Sequence, residues 1–503
     1  MNKEPIHSEV KPVRQPGLLA ALLPVVVLMI LLSANVILFD DTLGGANQLA
    51  LLLAAAVAAL VGMYYRVSWM KINSGIVATI GSAMPAILIL LFIGSLAGTW
   101  LLSGIIPAMI YYGLNVINPG IFLLASLVIC TLVSLATGSS WSTVATIGVA
   151  LLGMGAVLGL NKGLVAGAIL SGAYFGDKMS PLSDTTNLAP AMAGTDLFTH
   201  IRYMAYTTVP TIVITMVIFF AIGLTRSFTD VTSEMAVVQE AITSRFFVHP
   251  VLFLVPLLMI ILIIRKVPPL AALLFGSLAA GLLAVVFQPE LVREVAGIEG
   301  SALKTSYVGV MKSMFSGLSI PTDSPALRDL LDSGGMAGML ETVWLIISAM
   351  VFGGVMEAAG LLARITASIM SLARSTGSLV ASTAGTCLFL NISASDQYIS
   401  IVLPGRMFKE AYQRQGLKPE VLSRSLEGSG TVTSVLIPWN TCGATQSRVL
   451  GVPTLSYLPY TFFCLISPFM DIIFAYLNIK IRRIDPLGYQ EKSTQPAPGS
   501  SKN

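Results

Sequence analysis

The chain has 503 residues, 55% hydrophobic and only 11% charged, with a mean hydropathy of +0.82, values that exclude an ordinary water-soluble domain. A formal net charge of +4 is too slight to suggest a nucleic-acid partner, so the relevant solvent is a lipid bilayer. Cys130, Cys387, Cys442 and Cys464 stand singly, without CxxC or His pairing, which excludes a disulfide framework or zinc site and leaves them as structural thiols.

Residues 1–16 are polar, carry Lys3, Lys11 and Arg14, and read as a cytoplasmic N-terminal segment. No small-residue cleavage site follows the first apolar run, which therefore reads as a retained helix. Apolar runs predict helices at 17–39, 46–64 and 77–106, each able to cross a hydrocarbon layer about 30 Å thick. The segment 119–148 is shorter than the ~40 residues that two crossings need, which predicts a re-entrant hairpin with its tip at LATGSSWS, residues 135–142. A broken helix (163–197) and a fifth span (203–224) follow. After a linker at 227–245 the order recurs: helices at 247–264, 268–287 and 341–363, a hairpin at 377–404 with tip NISASDQY (391–398), a broken helix at 421–450, and a last span at 456–478. Residues 288–340 read as an external loop rich in Gly, Ser and Pro, and 480–503 as a polar cytoplasmic tail. The expected fold is all-α and polytopic, two inverted repeats of five spans plus one re-entrant hairpin each, at 17–226 and 246–479. The alternating pattern of a β-barrel is absent.

Aligning residues 120–203 with 377–460, an offset of 257 positions, pairs Gly120 with Gly377, Cys130 with Cys387, Gly148 with Gly405, Gly159 with Gly416, Pro181 with Pro438 and Gly194 with Gly451. Four glycine pairs coincide where the 11 and 8 glycines of the two windows give about one by chance, which supports an internal repeat. Loop charge sets orientation, because basic loops stay in the cytoplasm. Asp40 to Gly45 holds no base, whereas the corresponding joint reads Arg265-Lys266-Val267-Pro268-Pro269. Uncharged 107–119 answers to Arg364 and Arg374, and uncharged 149–161 to Arg406, Lys409, Arg414, Lys418 and Arg424. These signs turn the halves opposite ways and place both termini in the cytoplasm.

Non-helical backbone at membrane depth survives only where protein buries it or water reaches it. Four such breaks are predicted: the tips Thr137-Gly138-Ser139-Ser140 and Ser393-Ala394-Ser395-Asp396, and the interruptions Pro181 to Asn187 and Pro438 to Gly443. Their carboxylate, hydroxyl and amide oxygens suit a small hard cation, and in inverted-repeat carriers discontinuous helices meet at the midplane to coordinate ions. Asp184 and Asp396 can hold either a proton or Na+, so they are the expected ion and proton carboxylates. Ser139, Ser140, Thr185, Asn187, Asn440 and Thr441 are the expected neutral ligands, with Asp177 and Lys178 a coupled pair that tunes the first site. Structural roles compete at each position. Ser183 or Asp184 suits an N-cap, Asp396 a tip reaching interfacial water, and Asp177 with Lys178 a self-neutralising buried pair. Glu357 and Glu427 lie within spans, each with a base in sequence reach, Arg364 and Arg424; His200 with Arg202 falls at a predicted cytoplasmic end.

The stretches GSSW, GAYFGDKMSPLSDTTNLAPAMAGTDLFTHIRYM and SDQYISIVLPGRMF make the chain resemble the NhaC family of sodium/proton antiporters, within the wider ion-transporter group of inverted-repeat carriers. The resemblance covers nearly the whole chain. It implies Na+ efflux coupled to H+ entry across a bacterial inner membrane, and a homodimer, as is common in that group. It carries ion-site roles onto Asp177, Asp184, Thr185, Thr186 and Asn187 of the first broken helix and onto Ser139, Ser140 and Asp396 at the tips. No cofactor is expected; Na+ and H+ are the cargo. Relatives that exchange malate for lactate make an organic-acid exchanger the alternative, for which Lys178, Arg406 and Arg448 are the candidate cationic partners. No HExxH, GxSxG or paired Ser and His within spans points to an enzyme.

Overall fold

The computed structural model describes residues 15–39, 44–116, 118–225, 231–321 and 331–484. Residues 1–14, most of the first joint (40–43), 226–230 of the linker, 322–330 of the long loop and the tail from 485 lie outside the described residues.

Helices Leu18–Leu38 and Ala46–Tyr64 sit where the apolar runs place them. The third, Trp69–Leu102, starts earlier than the expected 77, because Ser68 caps its first turn by accepting from Lys71 N at 3.3 Å while the Lys71 side chain stays exposed. Ile105–Val116 is helical where an uncharged loop was expected; Pro107 stands in its first turn, where the missing N–H leaves no bond unmade. The first hairpin runs out along Phe122–Thr137 and returns through Ser140–Thr143, a π-helical stretch Val144–Gly148 and Val149–Val157. That last helix extends the return arm nine residues beyond the expected 148, since an uncharged run rich in Val, Leu and Ala offers nothing to stop it. The first broken helix is Lys162–Met179 followed by Asp184–Ala193, and Leu197–Leu224 closes this part.

The linker holds a helix, Val231–Arg245, bent by 87° from the Pro250–Ile264 segment. Pro269–Phe287 leads into the long loop, which is more ordered than expected. It contains helices Pro289–Ala296 and Ala302–Phe315 and a two-residue antiparallel ladder joining Leu318–Ser319 to Asp332–Ser333. This loop backs onto Trp69–Leu102, where Gly94 and Gly98 leave room for the Gly335 and Ser313 carbonyls. Leu340–Ala358 and Leu361–Met370 come next. The second hairpin is Thr376–Ser393 and Ile399–Arg414, and the second broken helix Pro419–Leu426 continues through a π-helical turn, Glu427–Thr431, before resuming at Thr441–Leu450. The final segment Thr454–Tyr460 is bent by 55° against Phe462–Tyr476.

Among the described residues eight helices are long and apolar enough to cross a membrane, both arms of the first hairpin among them, or up to ten if each bent pair counts as one, by length and composition. The two broken helices fall outside that number, the first because Lys162–Met179 is long enough but carries Lys162, Asp177 and Lys178, the second because its interruption divides it into shorter pieces. Small residues let the spans approach: Gly62 faces Ala359 and Gly75 faces Ala358, so Ala46–Tyr64 and Trp69–Leu102 pack closely on Leu340–Ala358. The element boundaries follow the 257 offset. Asp184–Ala193 falls on Thr441–Leu450, and the left-handed residues Gly138, Gly159 and Gly194 fall on Ser395, Gly416 and Gly451. Packing is crosswise: Ile399–Arg414 lies against Asp184–Ala193, with Gly405 at Met192, while Val144–Gly148 lies against Thr441–Leu450.

Candidate functional site

Each hairpin tip turns on a left-handed residue and lands on a helix break. Gly138 has φ 68, and a Cβ added there would lie 2.6 Å from the Leu182 carbonyl carbon, so tip and break meet backbone to backbone. Ser139, half-buried, caps the return arm by accepting from Ser142 N at 3.2 Å. Ser140 donates its backbone N–H (3.1 Å) and its Oγ (2.7 Å) to Asp177 Oδ2, and Asp177 is 8% exposed. At the second tip Ser395 has φ 59, and its carbonyl accepts from Thr441 N at 3.0 Å. Asp396 is 3% exposed and does not reach interfacial water; its Oδ1 accepts from Ile399 N at 2.9 Å.

At the first break the N-cap is Ser183, whose Oγ accepts from Thr186 N at 3.5 Å. Asp184 therefore stands in the first turn, exposed, where the helix dipole favours a negative charge. Thr185 Oγ1 donates to Glu427 Oε1 at 3.0 Å. Thr186 Oγ1 bonds the Asp177 and Lys178 carbonyls at 3.1 and 3.0 Å, satisfying the end of the preceding helix. Asn187 is exposed and its amide reaches back to the Pro181 and Ser183 carbonyls. At the second break Asn440 caps Cys442 N at 3.0 Å, donates to Asn391 O and Oδ1, both at 3.1 Å, and receives the Thr441 hydroxyl at 3.4 Å. Ile399–Arg414, which leaves the second tip, packs on Asp184–Ala193, which leaves the first break, so the second hairpin and the first broken helix border one region.

Asp177 and Lys178 part company, since adjacent helical residues point about 100° apart. Lys178 is fully buried, donates to Ser467 Oγ at 2.9 Å and lies 5.8 Å from the Phe463 ring centre. Around it stand residues that the sequence left undecided or unnoticed. Glu427 and Asp471 are fully buried, and so is Arg424, which the loop-charge pattern assigns to the cytoplasmic surface. Arg424 Nε lies 3.4 Å from Asp471 Oδ1, and its guanidinium sits 4.6 Å over Tyr203. The signal for Asp471 is a lone carboxylate inside the apolar run SPFMDIIF. His200 is buried too, with Nδ1 2.8 Å from Ser423 Oγ, away from the solvated end its neighbour Arg202 occupies. Arg406 is exposed, and Arg448 pairs with Glu341 at 3.5 Å.

Among the described residues the buried acids are Asp177, Asp396, Glu420, Glu427 and Asp471, and the buried Lys and Arg side chains are Lys178 and Arg424. Arg482 meets Glu420 at 3.2 Å and Arg424 meets Asp471. Among the described residues this leaves Lys178 as the one buried Lys or Arg without a paired carboxylate, against the buried acids Asp177, Glu427 and Asp396. If all three ionise, negative charge is in excess, which a buried site tolerates only when a cation or proton is bound.

A family model described as "Na+/H+ antiporter family" matches residues 172–479, a stretch that contains the break of the first broken helix, the second hairpin and the whole second broken helix. The chain belongs to that family. Within it, the Na(+)/H(+) antiporter NhaC of Alkalihalophilus pseudofirmus is 37% identical over 434 residues, 86% of this chain and 91% of that relative. The malate-2H(+)/Na(+)-lactate antiporter of Bacillus subtilis is 36% identical over 460 residues, 91% of this chain and 95% of that one. The solved structure of Neisseria gonorrhoeae MtrF, presented as illuminating a class of antimetabolite efflux pumps, aligns over 92% of this chain and 96% of its own at 15% identity, with a TM-score of 0.36, too loose a match to carry an argument. Family membership and the run of apolar helices make this antiporter-family chain a multi-pass membrane protein.

Proposed function

We propose that the protein is a secondary transporter exchanging internal Na+ for external H+ across a bacterial inner membrane, with both termini cytoplasmic, no cofactor and no enzymatic activity. The observation that carries this reading is the excess, among the described residues, of buried carboxylates not paired with an arginine, Asp177, Glu427 and Asp396, over the single buried ammonium of Lys178. One proton or one monovalent cation neutralises each surplus charge, so the two compete, and competition with access from alternate sides is sufficient for exchange. Asp184 and Asp396 are the proposed ion and proton carboxylates. Ser139, Ser140, Thr185, Thr186, Asn187, Asn440 and Thr441 supply neutral oxygens, and Asp177 with Lys178 tunes the first site. The coincidence of breaks at the 257 offset and the crosswise packing support two inverted halves, 17–226 and 246–479, whose hairpins are re-entrant and move with the broken helices against the remaining spans. A homodimer is the proposed assembly.

Exchange of small organic acids is the second reading, favoured by the likeness to the malate and lactate carrier and by the buried Lys178. Purified protein in liposomes loaded with a pH dye separates the two. The first reading predicts H+ movement on imposing a Na+ gradient alone; H+ movement only when malate or lactate is supplied overturns it in favour of the second.

A further inference from the structure

We propose that the π-helical turn Glu427–Thr431 forms a monovalent-cation subsite in which Glu427 is the charged ligand and Thr185 and Thr431 are neutral ones. The inference rests on the antiport reading and adds to it a carboxylate that belongs to the second broken helix but faces the first. Three observations point to it. Glu427 is fully buried, and while its Oε1 accepts from Thr185 Oγ1 at 3.0 Å, its Oε2 has no hydrogen-bond partner. The Thr431 hydroxyl lies beside the same carboxylate and is likewise buried without a partner of good geometry, as is Ser429 Oγ in the same turn. The turn itself is a π-helix, whose i→i+5 bonding is rare and recurs at functional sites.

One carboxylate with hydroxyl oxygens is the donor set of a small hard cation of low charge. Among the described residues no three His, Cys, Asp or Glu side chains group as a multivalent-metal site. The charged groups facing Glu427 are Asp177 and Lys178 of the first broken helix, and Cys387 faces it from the second hairpin; Asp471 of Phe462–Tyr476 and Arg424, one turn back on the helix of Glu427, face Lys178 in turn. Lys178 Nζ bonds Ser467 and not Glu427, so the nearest fixed cation leaves Oε2 open to an exchangeable one. Gly428 is required there, because a Cβ would strike Asp471 Oδ2 and crowd Lys178 Nζ at 3.4 Å.

The test is Na+ binding to purified protein, titrated with NaCl against choline chloride at constant ionic strength and two pH values, and read as heat or as a rise in unfolding midpoint. Glu427→Gln is expected to weaken binding by roughly ten- to a hundredfold, the range seen when groups supporting a metal site are removed, and to flatten its pH dependence. Thr431→Val and Thr185→Val are expected to weaken it less and keep the pH dependence. Parental Na+ affinity and pH dependence in Glu427→Gln overturn the proposal. Should that variant not fold, unchanged affinity in both threonine variants overturns it equally. Because binding is read without transport, a parent that binds Na+ through Glu427 but moves no H+ defeats the antiport reading alone. A parent that exchanges Na+ for H+ with a silent Glu427 defeats only the subsite.

Discussion

Arg424 and Asp471 face one another in the protein interior, each fully buried, and neither charge can be removed alone without stranding the other. Asp471→Asn is expected to cost about 3–5 kcal/mol of stability, and the double change Arg424→Met with Asp471→Leu to restore much of it, as measured by unfolding midpoints in detergent. Ser140→Ala keeps the backbone bond to Asp177 but loses the 2.7 Å hydroxyl bond; it is expected to weaken apparent Na+ affinity in reconstituted exchange by about tenfold. Legibility at this scale depended on depth. Ser140, Asp177 and Thr185 could be picked from the sequence because oxygen-bearing residues at a backbone break mark it without any contact information. Arg424 could not, because Arg406, Lys409, Arg414 and Lys418 precede it in one basic run, and only the turn of the helix from Pro419 carries the last of them inward. Glu427 fell between the two, a carboxylate in a span whose nearby base turns out to pair elsewhere.

The elements that carry the site are the tips and breaks, and their backbone makes unequal demands on equivalent positions. Gly138 and Ser395 both adopt the left-handed conformation, but only one is glycine. A left-handed non-glycine residue costs roughly 1–2 kcal/mol, so Ser395→Gly is expected to raise stability by about 1 kcal/mol. Gly138→Ala is expected to lower it, and to impair exchange, because its Cβ would press on the Leu182 backbone at 2.6 Å. Thermal unfolding of the two variants side by side checks both signs. Tip and break positions were legible since Gly, Ser, Pro and Asn interrupt apolar runs there. The extra helix Ile105–Val116 and the longer return arm to Val157 were not, because uncharged apolar residues read equally well as a loop between spans or as the end of a helix, and only packing decides.

At the scale of the whole molecule, function in this account depends on the two halves meeting crosswise, with Gly405 of one against Met192 of the other. Cysteines at Met192 and Gly405 are expected to cross-link on mild oxidation and to leave exchange largely intact, because hairpin and broken helix move together; a link that abolishes exchange until a reductant is added would show that this contact must shift during transport. The internal offset and the alternating loop charges suggested two halves from the sequence alone, whereas their interlocking depends on contacts between residues more than 200 positions apart that no local pattern announces. The most direct test of the central claim is dequenching of a pH dye in everted membrane vesicles on adding NaCl, with parent protein and with Asp177→Asn, Asp184→Asn and Asp396→Asn variants of equal abundance. A saturable signal is expected from the parent, with its loss or severe reduction in the variants. Absence of a Na+-dependent signal from the parent, or a full one from all three variants, would contradict it.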